Sequence, residues 1–210
     1  MVRLIEHKRM VAVFIILISV ISTIIVIMLP EIKTDTVYMS GYYTEYPDKD
    51  DPRYYIKFKK DGTYVLMYDD SRRYQENYDE DGDGSRPIVD MYFGKYEIKN
   101  GNYIIRPTEG AYVGFKDTNA VKKKKINSYY SAKIKNSEDE TWMIIVPTNK
   151  GKYILGYMNE KKTYYNKERP YYFLYNKSDI KKLPSSPEEF RNQFKMDKKA
   201  EQERLAEQNR

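Results

Sequence analysis

Hydrophobic positions in this chain follow two different patterns. Residues 10–29 read M-V-A-V-F-I-I-L-I-S-V-I-S-T-I-I-V-I-M-L, twenty residues without a charge. As a helix rising about 1.5 Å per residue, such a stretch reaches ~30 Å, the thickness of a bilayer's hydrocarbon core. It is apolar on every side, which suits lipid better than the core of a small domain. Beyond residue 35 the apolar positions alternate with polar ones at a period of two, which is the strand pattern. In Tyr54-Tyr55-Ile56-Lys57-Phe58-Lys59, Tyr54, Ile56 and Phe58 share one face and Lys57 and Lys59 the other.

Turn signals separate these strands. Asp61-Gly62 leads into Thr63-Tyr64-Val65-Leu66-Met67-Tyr68, and Asn100-Gly101 joins a strand over 89–98 to one over 102–106. Both dipeptides are strong hairpin signals, because glycine tolerates the positive φ of a tight turn. Gly94, inside the 89–98 strand, marks a bulge or sharp bend. A third hairpin runs from 142–146 through Asn149-Lys150-Gly151 to 152–157. Shorter strands are expected over 36–43, 111–115, 128–135 and 171–175. Nine or ten strands at this spacing point to a barrel or sandwich, and successive hairpins favour an antiparallel meander closed as a barrel. No helical period is visible between 36 and 176.

From Ser178 the pattern turns helical. Ser178-Asp179 is placed to cap a short turn to Leu183, and Ser186-Pro187-Glu188-Glu189 is a good helix start, with a serine cap, proline in the first turn and acids at the positive end of the dipole. Phe190 and Phe194 lie one turn apart and are expected to dock on the barrel, whereas residues 198–210 have almost no apolar face. The expected organisation is therefore a flank over 1–9, a transmembrane helix over 10–29, a linker over 30–35, an all-β barrel over 36–176 and a helical tail over 177–210.

Charge orients the apolar segment. Arg3, Lys8 and Arg9 precede it, with Glu6 the one acid there, and no basic cluster follows it. The positive-inside rule then puts the N-terminus in the cytoplasm and residues 31–210 outside the cell membrane. A cleaved signal peptide would have a shorter apolar core and a small-x-small cleavage site. A lipoprotein would need a cysteine just after the core, and a pilin-like leader an acid inside it. None of these is present, so a retained single-pass anchor is expected.

Composition narrows the chemistry. The chain has no cysteine, and its one histidine is His7, on the cytoplasmic flank. The exported part therefore lacks the residues for Ser-His-Asp or Cys-His catalysis and for His- or Cys-ligated zinc or copper. From residue 31 onward 34 Lys and Arg face 30 acids, a mild basic excess that suits an anionic envelope. With no nucleic-acid motif and an exported location, no nucleic-acid partner is expected. The absence of cysteine and the abundance of Lys, Ile, Asn and Tyr fit a Gram-positive-type, low-GC bacterial source.

The pair of hairpins Ile56-Lys57-Phe58-Lys59-Lys60-Asp61-Gly62-Thr63-Tyr64 and Gly94-Lys95-Tyr96-Glu97-Ile98-Lys99-Asn100-Gly101-Asn102-Tyr103-Ile104-Ile105, with the opening Gly41-Tyr42-Tyr43, resembles that of lipocalin-like small barrels of bacterial envelope proteins. The resemblance covers residues 36–176. It implies a barrel that binds small apolar ligands or serves as an adhesion or sensing module, and it carries over no particular ligand.

Three features offer chemistry. Residues 79–90 read D-E-D-G-D-G-S-R-P-I-V-D and fit a calcium loop. Asp79, Asp81 and Asp83 would converge on Ca²⁺, Gly84 would permit the turn, Ser85 would offer its carbonyl, and Asp90 would close the shell. Arg86 and Pro87 depart from that pattern, Asp90 would replace a bidentate glutamate, and the flanks are not helical. The competing reading is an acidic loop, 69–87, kept soluble by its charges. The run Lys122, Lys123, Lys124, Lys125 is either a solvated loop or a contact for teichoic acid or anionic lipid headgroups. Finally, 23 tyrosines are more than a core of this size accommodates, so some form a rim or an exposed aromatic platform.

The expectation is a membrane-anchored extracytoplasmic binding module, not an enzyme, that presents a Tyr-rich barrel to a small ligand, an envelope polymer or a protein. The alternatives are a carboxylate-based hydrolase of envelope glycan, which would need two acids facing each other across a cleft, and a structural subunit of a secretion or conjugation assembly.

Overall fold

The computed structural model describes residues 31–41, 45–82, 84–135, 143–148 and 152–208. The expected transmembrane helix, Asp83 and the turn at 149–151 lie outside them. Among the described residues no helix is long and apolar enough to cross a membrane.

Eight antiparallel strands form a closed barrel: β1 (Val37–Ser40), β2 (Arg53–Phe58), β3 (Thr63–Asp69), β4 (Ile88–Lys99), β5 (Asn102–Gly114), β8 (Met143–Pro147), β9 (Tyr153–Tyr157) and β10 (Tyr171–Tyr175). Each strand pairs with the next in this order, and β10 returns to β1 through Ser40↔Leu174. This is an up-and-down meander, and closure leaves the eight strands no free edge. Two short strands, β6 (Lys125–Ile126) and β7 (Ser128–Lys133), lie between β5 and β8; β7 pairs with β5.

The period-two alternation decides what faces inward. Tyr38, Ile56, Phe58, Leu66, Ile105, Ile145, Leu155 and Leu174 form one buried cluster in the barrel interior. Their neighbours in sequence point outward. At the end that holds the β2–β3 and β4–β5 turns, the interior is plugged by rings. Phe58 packs edge-on to Tyr96 at 4.9 Å and against Tyr103 at 5.4 Å, and Tyr38 meets Tyr153 at 5.8 Å. The chain enters here, where the Ile32 N–H donates to the Tyr103 hydroxyl at 3.1 Å and the Lys33 N–H to that of Tyr38 at 2.9 Å. The β4–β5 turn is tight, with Asn100 and Gly101 both at positive φ (52° and 77°), the backbone that Asn-Gly supplies most readily.

Two strands expected over 102–106 and 111–115 are one. β5 runs unbroken through Pro107, pairing with β8 over Tyr103–Ile105 and then with β7 over Glu109–Gly114. The exchange of partners is set by a register shift against β4 between Phe93 and Gly94. A Cβ on Gly94 would lie 2.0 Å from the Arg106 carbonyl oxygen, so only glycine lets the two backbones approach this closely.

The outer wall of β1–β5 is apolar too, and the C-terminal segment covers it. Val37, Met39, Tyr55, Val65, Met91 and Val113 pack with Phe115, Ile126, Leu183 and Phe190 in a second cluster. Helix α3 (Pro187–Arg191) starts as expected, with the Ser186 side chain accepting from the Glu189 N–H. Its Phe190 is 1% exposed and meets Phe194 at 5.4 Å, which in turn meets Phe115 at 5.6 Å. Beyond it, β11 (Lys195–Met196) pairs in parallel with β6, and α4 (Lys198–Gln208) follows. Polar groups pin this strap as well. Asp179 accepts the Tyr55 hydroxyl at 2.7 Å and lies 3.0 Å from Arg72 and 3.6 Å from the buried Arg53. The segment is thus part of the domain, because the wall beneath it cannot be left in water.

Two helices interrupt the region expected to have none. Helix α1 (Gln75–Glu80) occupies the acidic loop, and α2 (Thr118–Lys122) follows β5. Each is too short to show a 3.6-residue period. Local anchors set them instead: the Asp117 carboxylate accepts from the Ala120 N–H at 2.7 Å, and buried Tyr78 on α1 donates its hydroxyl to the Asp70 carbonyl.

Candidate functional site

The barrel end opposite the plug is open. A cavity of about 450 Å³ extends into it, between the start of β2, the end of β3, the start of β4 and the end of β9. Tyr54, Tyr68, Tyr92 and Tyr157 line the mouth, with Leu66, Ile105 and Met143 deeper and Ile134 and Arg169 at its edge. The size falls within the roughly 300–1,000 Å³ of small-molecule pockets.

Strand alternation builds this lining. Tyr54 is two residues before Ile56 on β2, and Tyr68 two after Leu66 on β3, so both share the inner face. Tyr54 and Tyr68 are cross-strand partners with ring centroids 4.8 Å apart, and Tyr172 of β10 meets Tyr54 at the same distance. Burial raises the Tyr54 and Tyr68 hydroxyls well above the ordinary tyrosine range, and the Tyr92 hydroxyl to about 12. At neutral pH these hydroxyls are un-ionised, and the rings present uncharged faces and edges.

Asp90 is the one acid that lines the cavity among the described residues. It sits on β4 opposite Tyr68 and Tyr112. Burial raises its carboxyl to about 6, and among the described residues no hydrogen bond or ion pair engages it. At pH 7 it is an unpartnered carboxylate in an aromatic wall. Arg169 lies at the rim with its guanidinium 3.9 Å over the Tyr157 ring, a cation–π contact.

Of the proposed calcium residues, Asp83 lies outside the described residues, and the other four stand on separate local structures. Asp79 is on α1, where it accepts from the Gln75 side chain at 2.9 Å, and Asp81 caps that helix and accepts from Arg73 at 2.6 Å. Ser85 lies in the following turn beside Arg86, along a shallow cleft formed with α4. Asp90 faces the barrel interior. Among the described residues no group of three or more acids or histidines could hold a metal ion. Helix α1 carries Asp79 at one end of this stretch, and strand β4 carries Asp90 at the other.

The four lysines are all exposed and sit on three local structures: Lys122 ends α2, Lys123 caps it, Lys124 has a positive φ of 52°, and Lys125 opens β6 4.0 Å from Asp197. The exposed tyrosines Tyr46, Tyr74, Tyr130 and Tyr164 belong to four separate segments. Tyrosines come together inside the barrel, in the plug and at the mouth, and those at the mouth line the cavity. Sequence reasoning did not single them out, although their inner-face positions on β2 and β3 were readable from the alternation.

Asp70, just outside the mouth, carries a testable charge effect. Its Oδ1 is buried without a hydrogen bond, 3.8 Å from Arg73. Burial raises this carboxyl to about 6, with Arg73 opposing. A folded-state value above the unfolded one, near ~3.9, means that protonation favours the fold. The favourable contribution is complete below about pH 4 and is lost as pH rises through about 6. Asp70→Asn should therefore raise stability by roughly 1–3 kcal/mol at about pH 7.5 and by little at about pH 4. Paired thermal melts check this; equal melting shifts at both pH values would contradict it.

Fold and site together define an up-and-down β-barrel with one plugged end and one open, tyrosine-lined cavity. No family model matches the chain, and neither a curated protein nor a solved structure matches it.

Proposed function

We propose that this protein is a membrane-anchored extracytoplasmic binding module, akin to lipocalin-like barrels, whose barrel cavity takes a small amphipathic ligand. The observation that carries the reading is the asymmetry of the barrel interior. One end is packed solid with aromatic rings, and the other holds an open cavity of about 450 Å³. A barrel that served only as a scaffold would be filled along its whole length, as interiors pack at crystal-like density. The lining also supports binding over glycan hydrolysis: hydrolysis would use two facing carboxylates, and among the described residues Asp90 is the one acid that lines the cavity.

Polarity follows from the same asymmetry. The chain joins the barrel at its plugged end through Ile32 and Lys33. With residues 10–29 in the membrane, the mouth opens away from the bilayer, toward the envelope.

Filling the mouth tests the reading. A neutral apolar fluorophore such as N-phenyl-1-naphthylamine should brighten on binding the wild-type chain. Ile134→Trp puts a large ring at the cavity edge and should weaken that binding about tenfold or more, as lost apolar burial on this scale implies. Equal titrations for the two proteins would remove the cavity as the binding place.

A further inference from the structure

The cavity's charge pattern says more about its occupant. We infer that the barrel binds a small organic amine, its ammonium group directed to Asp90 and its apolar body held between the tyrosine rings. The inference rests on the binding reading above and names the class of ligand.

A carboxylate inside a barrel wall is costly, and one without a partner more so. The interior could have been closed with another apolar residue at position 90, since Tyr54, Leu66 and Tyr92 around it are all ring or aliphatic. Instead Asp90 stands in the lining, facing no described cation. Arg169, the nearest basic residue of the lining, is occupied by the Tyr157 ring at the rim. Asp70 and Asp69 flank the same end of the barrel, and Asp70 lies 3.8 Å from Arg73. The Asp69 carboxylate is itself engaged by Arg72 at 2.8 Å, which leaves Asp90 as the acid facing the cavity.

The rings supply the complementary half. Tyr54 and Tyr68 are held against each other and Tyr92 adjoins them. Aromatic faces carry negative potential and attract alkylammonium groups, most strongly where water is excluded. An amine therefore gains a charge-assisted contact to Asp90 and ring contacts together. A neutral alcohol of equal size gains the ring contacts and only a hydroxyl's weaker hydrogen bond to Asp90, and an anion meets repulsion there. Arg169 at the rim would then lie beside the outer end of the ligand, where it favours a carbonyl or acidic group over a second amine.

Three probes of nearly equal size and shape separate the possibilities: phenethylamine, 2-phenylethanol and 3-phenylpropionate, titrated calorimetrically into the full chain. The amine should bind about tenfold or more tightly than the alcohol, and the propionate most weakly, as a hydrogen bond to a charged group implies. Asp90→Asn should weaken the amine about tenfold or more and the alcohol by much less, so that the difference between the two closes. Tyr92→Leu, which keeps the carboxylate, should weaken the amine more than the alcohol and provides a second test if the Asp90 variant folds poorly. Equal binding of amine and alcohol to the wild type would overturn the assignment of an amine and leave the cavity reading standing. Failure of all three probes together with the neutral fluorophore would overturn both.

Discussion

Replacing Phe190 by alanine should cost about 3–5 kcal/mol, the range for removing a fully buried aromatic ring. A domain of this size has a total stability of roughly 5–15 kcal/mol, so the loss is a large share of the whole. The reason lies in the barrel's outer wall. Phe190 is 1% exposed and packs in the cluster that includes Met91, Val113, Phe115 and Leu183. It also supports Phe194, which rests on Phe115. Removing the ring opens a void that neighbouring strands cannot close, because their backbones are tied into the ladder. Urea denaturation of the full-length variant measures the effect. A loss below about 1 kcal/mol would show the strap to be loosely laid on the wall, since that is the size of ordinary surface changes.

The same argument extends to the whole strap. A chain ending before residue 178 would lose Leu183, Phe190 and the Asp179 partner of Arg53, Arg72 and Tyr55. It would expose a contiguous apolar wall and leave Arg53, 4% exposed, without that carboxylate. Such a chain should aggregate, since large exposed apolar patches associate.

Gly94→Ala should be comparably severe, with an expected loss of about 3 kcal/mol or more, as backbone shifts forced by an added group imply. The new Cβ would fall 2.0 Å from the Arg106 carbonyl oxygen and 2.9 Å from the Pro107 Cα. Both are backbone atoms, so no flexible side chain can give way. The position also has a particular task. At Phe93/Gly94 the register between β4 and β5 shifts, and just beyond it β5 leaves β8 and takes up β7. That departure helps to open the mouth between Ile134 and Met143, both of which line the cavity. Chemical denaturation reads the stability loss, and a variant within about 0.5 kcal/mol of wild type would show that the strands separate freely at this point.

Much of this barrel was legible along the chain. The alternation of Tyr54, Ile56 and Phe58 against Lys57 and Lys59 located a strand and its inner face. Asp61-Gly62 and Asn100-Gly101 marked two hairpins, Gly94 marked the bulge, and Ser186-Pro187 marked a helix start. These are local signals, set by steric preferences of one to six consecutive residues, so local sequence is enough to read them. The two short helices escaped because five or six residues make too few turns for a period to show. The join of 102–106 to 111–115 escaped because Pro107-Thr108-Glu109-Gly110 between them carries no apolar alternation; the proline is tolerated where β5 changes partners.

The candidate site was less legible for a different reason. Residues 79–90 have calcium-loop spacing, yet a side chain's direction depends on the element that carries it. Asp79 and Asp81 follow α1 and its cap, whereas Asp90 follows the inward face of β4. Tyr54, Tyr68 and Tyr92 come from the neighbouring strands β2, β3 and β4, whereas Tyr157 and Tyr172, distant in sequence, join them only when β10 closes on β1.

By itself, then, the sequence determined the apolar stretch of residues 10–29, the exclusion of histidine and cysteine chemistry beyond it, the strands and their faces, because each of these follows from residue type and spacing. The tertiary structure alone decided that one barrel end is plugged and the other open, which strands the docked C-terminal segment covers, and that Asp90 stands among tyrosines. Closure and register determine which distant residues become neighbours, and no local preference encodes them.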